Sequence, residues 1–289
     1  MRYLIEHETI LDYPTPVREH HLELRLTPRQ DANQRLLSHT IALEPPAEQH
    51  SYADYFGNAV DYFCIIAPHT SLITRLTAEV ETLRENPFDF TPVPVQQQQE
   101  WYQQELRSCP ALYDYLLHRS SLTPQAAKLT DQLSSAPPRH EPHRPIMDSL
   151  VEPMGWVPQV LRYETGATAV HNDLLAAVQQ GAGVCQDFAH LFISVARSWQ
   201  LPGRYVMGYM DPGICAEDET IATHAWAEVL VPGGGWIGFD PVHNLLANDR
   251  YIPVAVGRDS YDAAPQRGSF KGESSGTLPQ VNLTIINQQ

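Results

Sequence analysis

The sequence has few cysteines, and they are widely spaced. Its 289 residues contain four, Cys64, Cys109, Cys185 and Cys215, and no two of them form a CxxC motif. So few cysteines at such spacing favour neither a disulfide framework nor a zinc ribbon. We therefore expect a protein of a reducing compartment, the cytoplasm, that binds no metal.

Basic residues and long apolar segments are also scarce. Lysine and arginine number 19 against 34 aspartates and glutamates, which gives a formal net charge of −15. A surface of this sign disfavours nucleic acid and anionic membranes as partners. No apolar run approaches the roughly 20 residues that span a bilayer. The N-terminus carries Glu6, His7 and Glu8 where a secretory signal would need apolar residues.

Two regions differ in their hydrophobic pattern. Residues 1–84 contain short alternating runs, such as HHLELRL at 20–26, separated by proline and glycine turns. A proline-rich linker follows at 85–97, and helical and strand patterns are mixed after it. We predict an α+β fold in which residues 1–90 form an antiparallel β-sandwich domain and residues 91–289 form a second, catalytic domain.

The most informative segment is GAGVCQDFAHLFISVARSW at 181–199. A glycine-rich turn leads directly to Cys185, and the apolar residues after it recur at helical spacing. A thiol at a helix N-terminus lies where unpaired backbone N–H groups and the helix dipole favour a thiolate. Asp187, in the first turn, is favourable for the helix but would oppose the thiolate. Taken alone, Cys185 would more often be a buried core thiol.

Two residues downstream make a catalytic role the better interpretation. His224 opens the alternating run HAWAEVLV, and Asp240 ends the run WIGF that follows a PGGG turn. Thiol, imidazole and carboxylate are the nucleophile, base and orienting group of acyl-transfer enzymes. His224 and Asp240 share a face of this hairpin only if the loop has an odd residue count or a bulge. We predict a five-residue loop or a glycine bulge that places Asp240 across from Trp226.

Several alternatives remain at this stage. His243 is a rival base, although it follows the carboxylate rather than facing it, and Cys215 is a rival thiol without a helix N-terminus. Trp156 could donate a hydrogen bond through its indole, but a core role is favoured. The strands after Asp240, including a last one at 281–287, are predicted to complete a sheet packed against the Cys185 helix.

Four blocks of sequence together resemble the bacterial transglutaminase-like family, whose members are described as cysteine peptidases. They are GVCQDFAH, LPGRYVMGY, THAWAEVLVPGGGWIGFDPVHN and VAVGRDSYDAAPQRGSFKG, and LRLTPRQDANQ and DYFGN resemble the family's N-terminal β region. The resemblance implies a papain-like core with Cys185 as nucleophile, His224 as general base and acid, and Asp240 as orienter of the imidazole. The sequence departs from the family at Val242-His243, where a smaller polar residue and asparagine are usual. It also has Trp199-Gln200 in place of Leu-Gly.

The predicted function is thiol-dependent acyl transfer on peptide or carboxamide bonds of a protein or peptide substrate. Hydrolysis is favoured because water is the default acceptor, whereas an amine acceptor would make a transglutaminase. A non-catalytic peptide-binding module that keeps the fold is the alternative of another class. We expect no cofactor and no calcium requirement, because no acidic loop has calcium-ligand spacing. The second oxyanion donor, the role of the N-terminal domain and the oligomeric state are not indicated.

Overall fold

The computed structural model describes residues 1–167, 173–214, 223–273 and 279–288. The strands are Arg2–Leu24 (β1), Gln34–Glu44 (β2), Gln49–Ala53 (β3), Ala59–Ile65 (β4), His69–Thr82 (β5), Arg162–Tyr163 (β6), Ala182–Gly183 (β7), Gly203–Met210 (β8), His224–Val231 (β9), Gly235–Asp240 (β10), Leu245–Leu246 (β11), Tyr251–Gly257 (β12), Gln266–Lys271 (β13) and Gln280–Asn287 (β14). The α-helices are Val95–Ser108 (α1), Leu112–Leu117 (α2), Ala126–Leu129 (α3), Ile146–Val160 (α4), Leu174–Gln180 (α5) and Cys185–Ser198 (α6). None of the helices in these ranges is both long and apolar enough to cross a membrane.

The N-terminal region is built around β1, which is long enough to serve two halves of one sheet. Its first half pairs with β5 and its second half with β4, so the order is β2-β5-β1-β4-β3. All of these pairs are antiparallel, and the sheet curves into a half-barrel. The predicted α+β class and the antiparallel N-terminal region are therefore confirmed, and the two halves form a continuous sheet through β1.

The last two strands correct a prediction. β14 pairs with the first half of β1, from Tyr3 opposite Asn287 to Ile10 opposite Gln280, and β13 pairs with the second half. On one side, the first half of β1 pairs with β5 and the second half with β4. The other edge of β1 would have unpaired N–H and C=O groups, and β14 and β13 pair with them. Of the three longer late strands, only β12 joins the sheet that packs on α6. The prediction that all late strands complete that sheet was wrong for β13 and β14.

The second sheet carries α6 on one face. Its order is β11-β10-β9-β8-β12, and every described pair in it is antiparallel. α6 begins at Cys185 as predicted, and its predicted apolar stripe is fully buried at Leu191, Phe192 and Val195. Burial of each such side chain contributes about 1.5–3 kcal/mol. This packing holds the N-terminus of α6 at one end of β8 and β9.

A buried cation anchors the other end of α6. Arg197 is fully buried, and its guanidinium donates hydrogen bonds to carbonyl oxygens of Tyr115, Gly203 and Arg258 at 2.6–3.2 Å. These acceptors belong to α2, β8 and the loop after β12, so one side chain ties three segments to the helix. Burial lowers the pKa of Arg197 to about 9, which leaves it charged at pH 7.

Candidate active site

Cys185 is placed by a tight turn between two helices. α5 ends at Gly181, whose φ of +64° is the left-handed conformation that glycine favours at helix ends. The Asp187 carboxylate accepts a hydrogen bond from the Val184 backbone N–H at 2.9 Å and so caps the first turn of α6. A Cβ on Gly183 would lie 2.8 Å from Asp187 Cβ, so this approach requires glycine. The half-buried Cys185 therefore occupies the first position of a firmly capped helix.

The hairpin of β9 and β10 brings His224 and Asp240 together. Val231 pairs with Gly235, which leaves a loop of three residues, and Gly235 enters the strand with a φ of +68°. The odd loop count keeps His224 and Asp240 on one face, and His224 Nε2 lies 2.8 Å from Asp240 Oδ2. The predicted juxtaposition is confirmed. The loop is shorter than the predicted five residues because the left-handed glycine already belongs to the strand.

Asp240 is the centre of a buried polar network. Its Oδ2 accepts hydrogen bonds from His224, from His243 Nδ1 at 2.8 Å and from the Tyr251 hydroxyl at 2.9 Å. Its Oδ1 accepts the Val242 backbone N–H at 3.0 Å. Burial alone would raise the pKa of Asp240, but the charge and hydrogen bond of His224, with that of His243, outweigh burial and hold it well below its usual range. The carboxylate is therefore ionised and fully engaged.

His224 links this network to the thiol. Burial disfavours its protonated form, but Asp240 and a hydrogen bond with Cys185 outweigh burial and raise the pKa of His224 to about 10. Because Nε2 is engaged by Asp240, Nδ1 is the ring nitrogen left for the thiol. The three residues predicted from the sequence are thus joined in one chain of contacts, from sulfur to imidazole to carboxylate.

Two members of the network were not placed by the sequence. His243 contacts Asp240 although it was expected not to face it, because the turn after β10 folds back and its i, i+3 spacing permits the contact. Tyr251 lies on another strand, and no local pattern connects it to Asp240. Within the described ranges, His224, Asp240 and His243 are the one group with ligand atoms close enough, within 4.8 Å, to hold a metal ion. Their mutual hydrogen bonds account for this grouping without a metal.

A small cavity of about 50 Å³ lies beside the sulfur. It is lined by Cys185, His224 and Tyr205 among others, and His243 does not line it. Tyr205 lies on β8 and is buried. Burial, followed by the charges of Cys185 and Asp187, raises the pKa of Tyr205 well above 10. Tyr205 therefore presents a protonated hydroxyl near the thiol.

The other candidates of the sequence lie elsewhere. The Trp156 indole donates to Ser135 Oγ at 2.8 Å within the helical part of the core, in agreement with the favoured core role. Cys64 is half-buried in β4 and Cys109 is exposed after α1, and neither lines the cavity. Cys215 falls outside the described residues.

The chain is similar to known proteins in both sequence and structure. A family model described as the bacterial transglutaminase-like N-terminal region matches residues 3–81, and one described as the transglutaminase-like superfamily matches residues 137–241. An uncharacterized protein of Mycobacterium leprae is 31% identical over 283 residues, which cover 97% of each chain. One of Mycobacterium tuberculosis is 30% identical over 298 residues, covering 99% of this chain and 92% of that protein. The crystal structure of a "putative cysteine protease" from Cytophaga hutchinsonii superposes with a TM-score of 0.74 at 22% identity, covering 100% of this chain and 92% of that one. At this identity the likeness is one of fold.

Proposed function

Since this chain belongs to the transglutaminase-like superfamily, we propose that it is a cysteine peptidase or amidase that hydrolyses peptide-type amides. Cys185 is the nucleophile, His224 the general base and acid, and Asp240 the group that orients His224. The observation that carries the proposal is the hydrogen bond between His224 and Asp240, with His224 and Cys185 lining one cavity at the N-terminus of α6. The description of the Cytophaga protein as a "putative cysteine protease" agrees with it.

The first half-reaction follows from the positions of these groups. The Cys185 sulfur, beside the protonated His224, attacks the amide carbonyl carbon, and the carbonyl π electrons move to oxygen. When the tetrahedral adduct collapses, the C–N bond breaks and the His224 Nδ1 proton passes to the leaving amine. The products of this step are a free amine and a thioester on Cys185.

The second half-reaction returns the enzyme to its starting state. His224, now neutral, takes a proton from water, whose oxygen attacks the thioester carbon. The C–S bond breaks, the electron pair returns to sulfur, and a carboxylic acid leaves. Asp240 holds Nε2 of the imidazole throughout, so that Nδ1 stays directed at the reacting atoms.

Two donors are available for the oxyanion. The Cys185 backbone N–H lies in the first turn of α6, where N–H groups have no partner within the helix. The second donor in this proposal is the Tyr205 hydroxyl, which lines the same cavity and keeps its proton because its pKa is raised. An uncharged donor that is already fixed in place stabilises a developing negative charge at little reorganisation cost.

Tyr205→Phe should lower kcat for amide hydrolysis by about 100- to 1000-fold, since it removes one oxyanion donor and little volume. KM should change little, and so should alkylation of Cys185, because neither passes through the oxyanion. Steady-state kinetics on a cleaved peptide measures the effect. Tyr209→Phe is the matched control, since Tyr209 is buried on the same strand but does not line the cavity. Equal losses in the two variants would rule out the assigned role of Tyr205.

Selective alkylation tests the nucleophile directly. With iodoacetamide at pH 7, Cys185 should be labelled faster than Cys109, although Cys109 is exposed and Cys185 is half-buried. Mass spectrometry of proteolytic fragments taken over time gives the labelling rates of both cysteines. Hydrolysis of the peptide substrate should be lost at the same rate as Cys185 is labelled. If Cys185 reacts no faster than Cys64 or Cys109, the proposed nucleophile is wrong.

A fluorescent primary amine added to the peptide-cleavage assay separates hydrolysis from amine transfer. Incorporation of the amine into the peptide would identify a transglutaminase.

A further inference from the structure

A larger groove adjoins the catalytic cavity. It encloses about 570 Å³, and Thr223, Ala264 and Pro265 line both the groove and the cavity beside Cys185. The remaining walls come largely from β1 and β13, which belong to the N-terminal sheet. A molecule in the groove would therefore contact the N-terminal sheet and extend toward the thiol.

The walls of the groove are largely apolar and aromatic. Leu11, Tyr13 and Phe270 contribute large side chains, and the Phe270 ring meets the Tyr13 ring edge-on at 5.1 Å between centroids. Two buried histidines, His7 and His20, complete this surface. Burial, aided at His20 by neighbouring histidines, lowers the pKa of each to about 4, so both are neutral at pH 7. Such a surface suits an apolar or aromatic side chain.

One cation interrupts this surface. Among the described residues that line the groove, Arg267 is the only one charged at neutral pH, and none is acidic. Its guanidinium lies 4.1 Å from the centre of the Tyr261 ring, and its buried Nε and Nη2 have no hydrogen-bond partner among the described residues. Glu23, opposite Arg267 on β1, is engaged instead by Arg25 at 3.3 Å and by the Tyr52 hydroxyl.

The chain has a net charge of −15, whereas the described lining of this groove carries one cation and no anion. A guanidinium that is held against a ring and that no described carboxylate engages retains its capacity for two parallel N–H···O bonds. Its position next to apolar walls, where water is partly excluded, strengthens any pair that it forms. The charge of the groove is therefore complementary to a carboxylate.

We propose that this groove binds the segment of a peptide substrate next to the scissile amide, seating an apolar or aromatic side chain and pairing a carboxylate with Arg267. The proposal rests on the function proposed above, because it treats the groove as the continuation of the reaction cavity. The carboxylate belongs to an aspartate or glutamate side chain or to the C-terminus of the peptide, since both present the same pair of oxygens.

The first test is substrate preference. Cleavage of a mixed peptide library by the wild-type protein, followed by mass spectrometry, locates the preferred sites. Two pairs of synthetic phenylalanine-containing peptides are then compared. The members of the first pair have glutamate or glutamine next to the cleavage site, and those of the second pair end in a C-terminal acid or a C-terminal amide. We expect the carboxylate member of one pair to have kcat/KM at least tenfold higher, mainly through KM, and the pair that responds identifies the source. Equal values in both pairs would overturn the proposal.

The second test removes the cation. Arg267→Gln should lower kcat/KM for the preferred carboxylate peptide by about 10- to 100-fold, the range of a hydrogen bond to a charged group, and leave its neutral counterpart unchanged. Arg267→Lys should restore part of the preference. Arg18→Gln is the matched control, because Arg18 is an exposed arginine of β1 outside the groove. If Arg267→Gln lowers kcat/KM equally for the carboxylate peptide and its neutral counterpart, Arg267 does not recognise the carboxylate.

The apolar wall is tested separately. Phe270→Ala should lower kcat/KM for phenylalanine peptides relative to alanine peptides by about tenfold, with Phe88→Ala, an exposed phenylalanine outside the groove, as control. An unchanged ratio would exclude Phe270 from substrate recognition.

Binding without turnover keeps the two proposals distinguishable. Fluorescence anisotropy of the same labelled peptides on Cys185→Ala measures occupation of the groove directly. If the wild-type protein cleaves nothing but Cys185→Ala binds carboxylate peptides through Arg267, the proposed function fails and the groove stands. If cleavage depends on Cys185 but neither cleavage nor binding responds to Arg267→Gln, the groove proposal fails and the function stands.

Discussion

Cys185→Ala is expected to reduce kcat for amide hydrolysis by about 10⁵- to 10⁶-fold, the loss typical when the nucleophile of a catalytic triad is removed. No other thiol lines the cavity among the described residues, so nothing replaces the sulfur as attacking group. The fold should persist, because alanine is the best helix former and Asp187 still caps the first turn. The measurement is single-turnover kinetics on a cleaved peptide, together with the melting temperature.

Matched variants make this result interpretable. Cys64→Ala and Cys109→Ala remove thiols that lie away from the cavity, and both should keep wild-type kcat. A Cys185→Ala protein that melts like the wild type yet still cleaves peptides would contradict the proposed mechanism outright. It would mean that cleavage does not pass through the Cys185 sulfur.

Asp240→Asn is expected to reduce kcat by about 10⁴-fold, the effect known when the orienting carboxylate of a triad becomes an amide. The amide presents an N–H as well as an oxygen, so it no longer enforces Nδ1 of His224 as the reacting nitrogen. It also removes the charge that raises the pKa of His224 to about 10, so that the pKa falls as burial takes over. The alkaline limb of the pH–rate profile should therefore move to lower pH.

The same variant has a signature in stability. Because the pKa of Asp240 is lower in the folded protein than the ordinary value of about 3.9, the carboxylate stabilises the fold above that value, and this contribution is lost as the pH falls. Unfolding of Asp240→Asn in urea should thus depend less on pH in acid than unfolding of the wild type. Asp131→Asn, at an exposed aspartate, is the control. A lowered melting temperature with full activity would mean that the contact between Asp240 and His224 serves only the hairpin.

Local rules were enough to place the helix and the hairpin. The start of α6 at Cys185 follows from apolar spacing, and the end of α5 at Gly181 follows from the conformations open to glycine. The shared face of His224 and Asp240 follows from the period of a strand and the parity of its loop. Each of these features depends on residues that are close in sequence, so the sequence carries the signal directly.

Contacts between distant elements could not be read in this way. The placement of β13 and β14 on β1 is a choice among several free strand edges, and no short pattern encodes that choice. Tyr251 reaches Asp240, and Tyr205 reaches the cavity, only because separate strands meet in the folded sheet. Arg267 appears in the sequence as one arginine among many, and only the placement of Glu23, which Arg25 and Tyr52 engage, shows that this carboxylate opposite Arg267 is taken.

Because Tyr3 pairs with Asn287, the N-terminal sheet is completed only after residue 287 has been synthesised. A chain made from its N-terminus exposes β1 to the cell long before residue 287 has left the ribosome. The helix that bears the thiol and the hairpin that bears the imidazole and the acid emerge earlier than the strands that finish the half-barrel. A nascent chain therefore contains the proposed nucleophile before it contains β13, which forms a wall of the proposed substrate groove.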